Sequence, residues 1–297
     1  MKKDIENLSE WIKDREMRGY YTFTKEDIEK QFPSLGKDYM KTYLSRLVAK
    51  AKIISPWRNF YVIMPIEYSL KGIVPPVFYI DQLMAYLDKD YYVSLLNAAS
   101  FYGASHQRVQ TFSVMVELPY MRSTSKNGTT ILFFSKKDIQ TDLIRKYKTQ
   151  TGYVNVSSPE LTAVDLIENE KSVGGLNRVC TVLNELSDAM NLGGLNASFF
   201  KISPTPVFQR LGYILEHILE RNDMAETLYS LMEIAGLKLR KVPFKTSKPT
   251  DGCKVDTKWK VIVNQEIEID ELFPNLQSEN GANRFHGLKQ NRLNRIC

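Results

Sequence analysis

Residues 37–63 read KDYMKTYLSRLVAKAKIISPWRNFYVI, and this stretch decides the fold of the N-terminal part of the chain. Its first half predicts a helix over residues 37–50. Met40 and Leu44 fall on one side of that helix together with Leu47, at the 3.6-residue period of an amphipathic helix. The helix therefore has a core face and an outward face.

The second half of the stretch predicts a β-hairpin. Residues 53–54 and 60–63 are rich in β-formers, and residues 55–59 between them read as a turn. A basic helix followed by a hairpin is typical of the second half of a winged helix-turn-helix. In such a module, Arg58 would lie at the tip of the wing, where an arginine suits a phosphate or a narrow minor groove.

Two further helices are predicted before this stretch. The first carries apolar residues at helical spacing, namely Ile5, Leu8, Trp11 and Ile12. The second begins at Thr24, which can cap it, and Asp27 stands where a capping box needs a carboxylate. Pro33 then ends it. We therefore predict that residues 1–70 form a winged helix-turn-helix domain.

The outward face of the predicted third helix is small, polar and mostly basic. Arginine bonds guanine through two hydrogen bonds, serine and threonine contact bases or phosphates, and lysine suits phosphates. The candidate DNA-binding residues are Lys37, Tyr39, Lys41, Thr42, Ser45, Arg46 and Arg58. Two alternatives stay open, because a basic face is often only solvated and because some winged helices bind proteins.

Length and composition indicate two domains and an ordinary globular protein. The chain has 297 residues, of which 43% are hydrophobic and 25% charged. Its formal net charge of +6 is compatible with an anionic partner but is not extreme. The predicted fold class is α+β, with the winged helix followed by a larger mixed α/β domain.

The larger domain is predicted over residues 77–275, after a connector that contains Pro75 and Pro76. Its predicted helices cover residues 80–87, 91–102, 158–166, 176–190, 207–220 and 224–236. Its predicted strands cover residues 111–118, 129–134, 152–156, 259–263 and 265–269. The polar tail over residues 276–297 is expected to be flexible.

Cysteine and histidine usage gives no sign of a disulfide framework or a metal site. The three cysteines are Cys180, Cys253 and Cys297, and the three histidines are His106, His217 and His286. Their wide separation fits a reducing cytoplasm and no metal. We find neither a signal-peptide pattern nor an apolar run long enough to span a membrane, so no membrane partner is expected.

No catalytic motif is recognisable, so we expect a protein that is not an enzyme, with no catalytic residue and no cofactor. Asp165 is unusual because its neighbours are apolar, and a buried acid needs a partner. It could belong to a metal-dependent nuclease site with Glu160 and Glu117, or it could pair with an arginine or cap backbone. The basic stretch over residues 136–148 could extend a DNA footprint or form a solvated helix.

Four segments, taken in order, resemble the AbiEi antitoxins of type IV toxin-antitoxin systems. They are YYVSLLNAASFYG at residues 91–103, SPELTAVDL at 158–166, RLGYILE at 210–216 and WKVIVNQEIEID at 259–270. Two positions depart from the family pattern. Leu161 stands where relatives often carry arginine, and Tyr102 where they often carry histidine.

The resemblance implies a protein with two roles. The winged helix would repress its own operon by binding inverted repeats in double-stranded operator DNA. The C-terminal domain would counteract a nucleotidyltransferase-like toxin in an abortive-infection (phage defence) system, without a stable complex. The alternative is a DNA-modifying enzyme, in which a nuclease-like C-terminal domain is fused to the winged helix.

Overall fold

The computed structural model describes residues 2–104 and 110–268, and their architecture is α+β, as predicted. Its helices are α1 (Lys2–Met17), α2 (Lys25–Gln31), α3 (Lys37–Ala49), α4 (Ile80–Tyr86), α5 (Leu95–Phe101), α6 (Pro159–Glu168), α7 (Leu176–Leu186), α8 (Thr205–Tyr213) and α9 (Asn222–Ile234). Its strands are β1 (Thr22–Thr24), β2 (Ile53–Trp57), β3 (Phe60–Ile63), β4 (Tyr91–Val93), β5 (Thr111–Glu117), β6 (Thr124–Lys126), β7 (Thr129–Lys136), β8 (Ile144–Thr149), β9 (Gly152–Ser157), β10 (Val242–Pro243) and β11 (Val261–Ile262).

Residues 2–63 form three helices and a three-stranded antiparallel sheet with the order β1-β3-β2. The predicted capping box is present at the start of α2. The Oγ1 atom of Thr24 accepts from the Asp27 amide at 3.1 Å, and Asp27 Oδ2 accepts from the Thr24 amide at 2.8 Å. This reciprocal pair satisfies two amides that the first turn of a helix leaves free.

The hairpin turn is shorter than the sequence suggested. Strand β2 continues through Pro56 to Trp57, so the prediction of a turn over residues 55–59 was wrong and only Arg58 and Asn59 connect the strands. The register shifts between Ile54 and Trp57. Such an irregularity lets a strand accommodate a proline, which cannot donate to the ladder.

The three-stranded sheet buries both of its faces, because side chains alternate along a strand. On one face, Ile53 and Ile63 pack with the helices α1 to α3 in one core. On the other face, Ile54, Phe60 and Val62 belong to a second core that they share with the larger part of the chain. The hairpin therefore joins two cores.

The larger part is built on a six-stranded mixed sheet with the order β6-β7-β5-β4-β9-β8. Strand β4 pairs antiparallel with β5 and parallel with β9, and β5 pairs parallel with β7. The edge strands β6 and β8 are antiparallel to their neighbours. The helices α5 to α9 contribute to one large core, whereas α4 packs in the core that contains the hairpin.

Several elements differ from their predictions, and the strand predicted over residues 259–263 is limited to Val261–Ile262. Residues 91–102 are a strand, β4, followed by the helix α5, because Tyr91 and Val93 pair with strands distant in the sequence. Residues 265–268 form no strand. The predicted helix over residues 207–220 changes after Tyr213 into a π-helical turn, Ile214–Ile218. The basic stretch over residues 136–148 leads into strand β8 and is not the solvated helix that the sequence left open.

The C-terminal segment closes the large core. Strand β10 pairs in parallel with β11, and the fully buried ring of Trp259 lies against Gly212 of α8. The indole Nε1 of Trp259 donates to Glu216 Oε2 at 2.7 Å. The tail over residues 276–297 and the residue His106 lie outside the described residues.

None of the helices in the described parts of the chain has the length and hydropathy that a membrane span requires.

Candidate functional site

The outward face of α3 is exposed, as the periodicity predicted. We call Lys37, Lys41, Thr42, Ser45 and Arg46 the helix-3 face, and all five residues are exposed. Met40 and Leu44 on the opposite side are buried in the N-terminal core. The helix thus presents small and cationic side chains outward while its apolar side holds it in place.

Tyr39, another of the candidate DNA-binding residues, is half-buried. Its ring stacks on that of Tyr43, with 6.4 Å between the ring centroids. The hydroxyl of Thr42 donates to the Asp38 carbonyl at 2.8 Å, so its proton is used within the helix. Its oxygen lone pairs stay available to a donor.

The charge around the helix-3 face is strongly positive. Between residues 37 and 58 the chain carries six lysines and arginines and one acid, Asp38. Lys50 and Lys52 follow the helix and are exposed. A local excess of this kind attracts phosphates more strongly than the modest net charge of the whole chain suggests.

Arg58 is exposed at the hairpin tip, but the hairpin itself is held by the larger part of the chain. The hydroxyl of Tyr86 donates to the Arg58 carbonyl at 3.4 Å. The rings of Trp57 and Phe133 meet edge to face, with centroids 6.0 Å apart. The backbone of the tip is therefore fixed relative to β7, while the Arg58 side chain is exposed to solvent.

A second polar arrangement lies inside the larger part, and we call Tyr92, Lys136, Asp165 and Glu168 the buried ionic centre. Lys136 Nζ lies 2.6 Å from Asp165 Oδ1 and 3.5 Å from Glu168 Oε2. The Tyr92 hydroxyl donates to Asp165 Oδ2 at 3.0 Å. These residues stand on β4, β7 and α6, so the centre ties the sheet to the helix.

The electrostatics of this centre favour a structural role. Burial raises the pKa of the Asp165 carboxyl, and the Lys136 ammonium offsets part of that rise. Burial lowers the pKa of Lys136, but the carboxylates of Asp165 and Glu168 outweigh it and hold that pKa above its usual value. Lys136 is therefore a charged donor at neutral pH, not a free base or nucleophile.

The three acids considered for a nuclease site are each engaged by a different part of the chain. Glu117 accepts from the Ile139 amide at 2.9 Å and Glu160 from the Asn191 amide at 2.6 Å. Within residues 2–104 and 110–268, no three histidine, cysteine, aspartate or glutamate side chains come together in a way that could hold a metal ion. Asp165 has the ionic partner that burial demands, although that partner is a lysine and not an arginine.

Sequence reasoning missed two features. Tyr92, a member of the buried ionic centre, lies in a segment predicted as helix, and nothing in its local sequence indicates the bond that it makes to Asp165. Residues 238–260 carry eight lysines and arginines against two acids, which a local charge count would have found. Two of these cations form ion pairs, Lys245 with Glu170 and Lys258 with Glu216.

Comparison with known proteins places the buried ionic centre within a recognised domain. The family described as "AbiEi antitoxin C-terminal domain" matches residues 92–217. Comparison with curated protein sequences gives no match.

The solved structures that match this chain include the following two. The crystal structure of the RV2827C protein from Mycobacterium tuberculosis has a TM-score of 0.62 and 14% identity, covering 86% of this chain and 90% of that one. At this identity the likeness concerns the fold alone. An antigenic nucleotidyltransferase-like protein from Paracoccidioides brasiliensis has a TM-score of 0.35 and 14% identity, covering 51% of this chain and 89% of that one.

Proposed function

Since this chain belongs to the AbiEi antitoxin family through its residues 92–217, we propose that it is an antitoxin that also represses its own operon. The two roles are assigned to different parts of the molecule. The residues up to Ile63 would bind operator DNA as a winged helix-turn-helix, and the larger part would counteract the toxin.

The observation that carries the repressor role is the exposed helix-3 face. The order of elements, with α3 before the hairpin of β2 and β3, is that of winged helices that place this helix in the major groove. Arg46 would bond a guanine edge, and Lys37 and Lys41 would neutralise phosphates. The operator would be double-stranded DNA with inverted repeats.

The family membership carries the antitoxin role and implies a toxin partner. We propose a nucleotidyltransferase-like toxin, encoded beside this gene, as the protein that it counteracts in phage defence. The proposed neutralisation does not require a stable complex. The buried ionic centre would serve this role indirectly, by keeping α6 in place on the sheet.

The DNA-binding role is tested by fluorescence anisotropy with DNA from immediately upstream of the gene and with scrambled DNA of equal length. We expect selective binding that weakens steeply between two salt concentrations, because phosphate neutralisation releases counterions. The variant Lys41→Ala/Arg46→Ala should bind the operator at least about tenfold more weakly, since one good base contact contributes about 1–3 kcal/mol.

The matched control is Lys171→Ala/Lys201→Ala, which removes the same charge from exposed positions in the larger part. It should bind like the unaltered protein. Both variants should still rescue cells that express the toxin. Equal losses of DNA affinity in the two variants would reject the helix-3 face as the specific contact, and loss of rescue with intact fold would reject the division of roles.

A further inference from the structure

A cavity of about 220 Å³ opens beside the first turn of α6, outside the helix-3 face and the buried ionic centre. Its apolar wall includes Leu143 and Phe199, both of which are buried. Asn191 and Asn196 line it from exposed positions, so they belong to its mouth. The cavity is therefore apolar on one side and polar on the other.

One carboxylate in the lining has an oxygen that no described residue bonds. Glu160 is only 5% exposed, and its Oε1 accepts from the Asn191 amide at 2.6 Å. Within the described parts of the chain, no residue bonds its Oε2. Gln140 donates from Nε2 to the Ser198 carbonyl at 3.1 Å, which fixes the orientation of its amide. Its Oε1 has no partner either, but it is covered by protein and does not face the cavity.

The charge of the lining favours a cation. Two carboxylates, those of Glu160 and Asp142, line the cavity against one guanidinium, that of Arg145. Arg145 is exposed, and its Nη1 donates to the Asp142 carbonyl at 3.0 Å. Glu160 Oε2, which no described residue bonds, can accept from a ligand that supplies N–H groups, and a charged donor makes the stronger bond to a carboxylate.

We propose that this cavity binds an alkylguanidinium group, either a free arginine derivative or an arginine side chain of a partner protein. The planar fork of a guanidinium matches the Glu160 carboxylate. Its methylene stem would lie along Leu143 and Phe199. The volume is below the roughly 300–1,000 Å³ of sites for drug-sized ligands, which argues against a nucleotide. This inference does not depend on the proposed function.

The test is a titration of the isotopically labelled full chain, in which NMR measures the chemical shift of the Asn191 amide. The probes are N-propylguanidinium, its neutral analogue N-propylurea, and propionate. We expect saturable shifts with the guanidinium and at least tenfold weaker binding of the urea. Equal binding of the urea, or preferential binding of propionate at Arg145, would overturn the proposal.

The variant Glu160→Gln keeps the size of the side chain and an acceptor for the Asn191 amide, but it removes the charge. It should weaken N-propylguanidinium binding at least tenfold, whereas Asp138→Asn, at an exposed position outside the cavity lining, should not change it. If Glu160→Gln unfolds, crystals of the unaltered protein soaked with N-propylguanidinium decide the matter. Density against Glu160 supports the site, and an empty cavity rejects it.

A blocked tripeptide with a central arginine separates the two sources of the ligand. If the peptide binds as well as N-propylguanidinium, the site accepts an arginine presented by a protein. If only the small guanidinium binds, the ligand is a free arginine derivative.

Discussion

The contact between Gly212 and Trp259 shows how one missing side chain shapes the large core. A Cβ atom at position 212 would lie 2.0 Å from Cζ3 of the Trp259 ring, and the ring is fully buried. The ring cannot simply move away, because its indole Nε1 is bonded to Glu216. Glycine is therefore required here for space.

We expect Gly212→Ala to lower the free energy of unfolding by at least about 1–3 kcal/mol, the usual cost of overpacking a core. Urea unfolding followed by tryptophan fluorescence measures the change. Gly193→Ala is the control, since a Cβ atom there meets Asn191 Oδ1 at an ordinary 3.7 Å. Equal stability of the two variants would show that the Trp259 ring has room to shift.

Burial also determines the reactivity of Cys180. Loss of hydration raises the pKa of its thiol to about 12, and the Glu170 carboxylate adds to the rise. A raised thiol pKa favours the neutral form, so at pH 8 only about one Cys180 thiol in ten thousand would be the reactive thiolate.

We therefore expect iodoacetamide at pH 8 to leave Cys180 unmodified in the folded protein and to modify the half-buried Cys253. Peptide mass spectrometry after brief labelling distinguishes the two sites. Labelling in urea is the control, because unfolding removes the burial and should expose Cys180. Rapid labelling of Cys180 in the folded protein would contradict the structure.

At the scale of elements, the sequence predicts best where the determinants are local. The helical period predicts that Lys41 and Arg46 face outward on α3, and Thr24 with Asp27 predicts the cap of α2. Strand β4 is mistaken for helix because its pairing with β5 and β9 depends on residues more than twenty positions away. The sequence likewise indicates that Asp165 needs a partner, but only the sheet brings Lys136 to it.

The buried ionic centre joins β4, β7 and α6, so breaking it should destabilise several elements together. Lys136→Met leaves Asp165 as a buried carboxylate without its ammonium, and we expect a loss of about 3–5 kcal/mol. The double variant Lys136→Met/Asp165→Leu should lose less than the sum of the two single variants. Lys137→Met, at an exposed neighbouring position, is the control for denaturant unfolding. Additive losses would mean that the two residues do not act as a pair.

At the scale of the whole molecule, the hairpin of β2 and β3 belongs both to the core of the N-terminal helices and to a core of the larger part of the chain. Ile54, Phe60 and Val62 pack with residues of the six-stranded sheet, although the sequence predicts a domain of residues 1–70. We therefore expect scanning calorimetry to give one cooperative unfolding transition for the full chain. A fragment of residues 1–70 should be less stable, because those three side chains would meet water. Two well-separated transitions would contradict this expectation.

The order of the six-stranded sheet has a further consequence for behaviour at high concentration. Its β6 edge lies against β2, so among the described residues the edge without a neighbouring strand is β8, which presents Arg145, Lys146 and Lys148. The unpaired backbone groups of an edge strand can bond to a strand of another molecule, and cations along the edge repel an identical edge. The protein should therefore resist aggregation through this edge, and this resistance should weaken when salt screens the three charges.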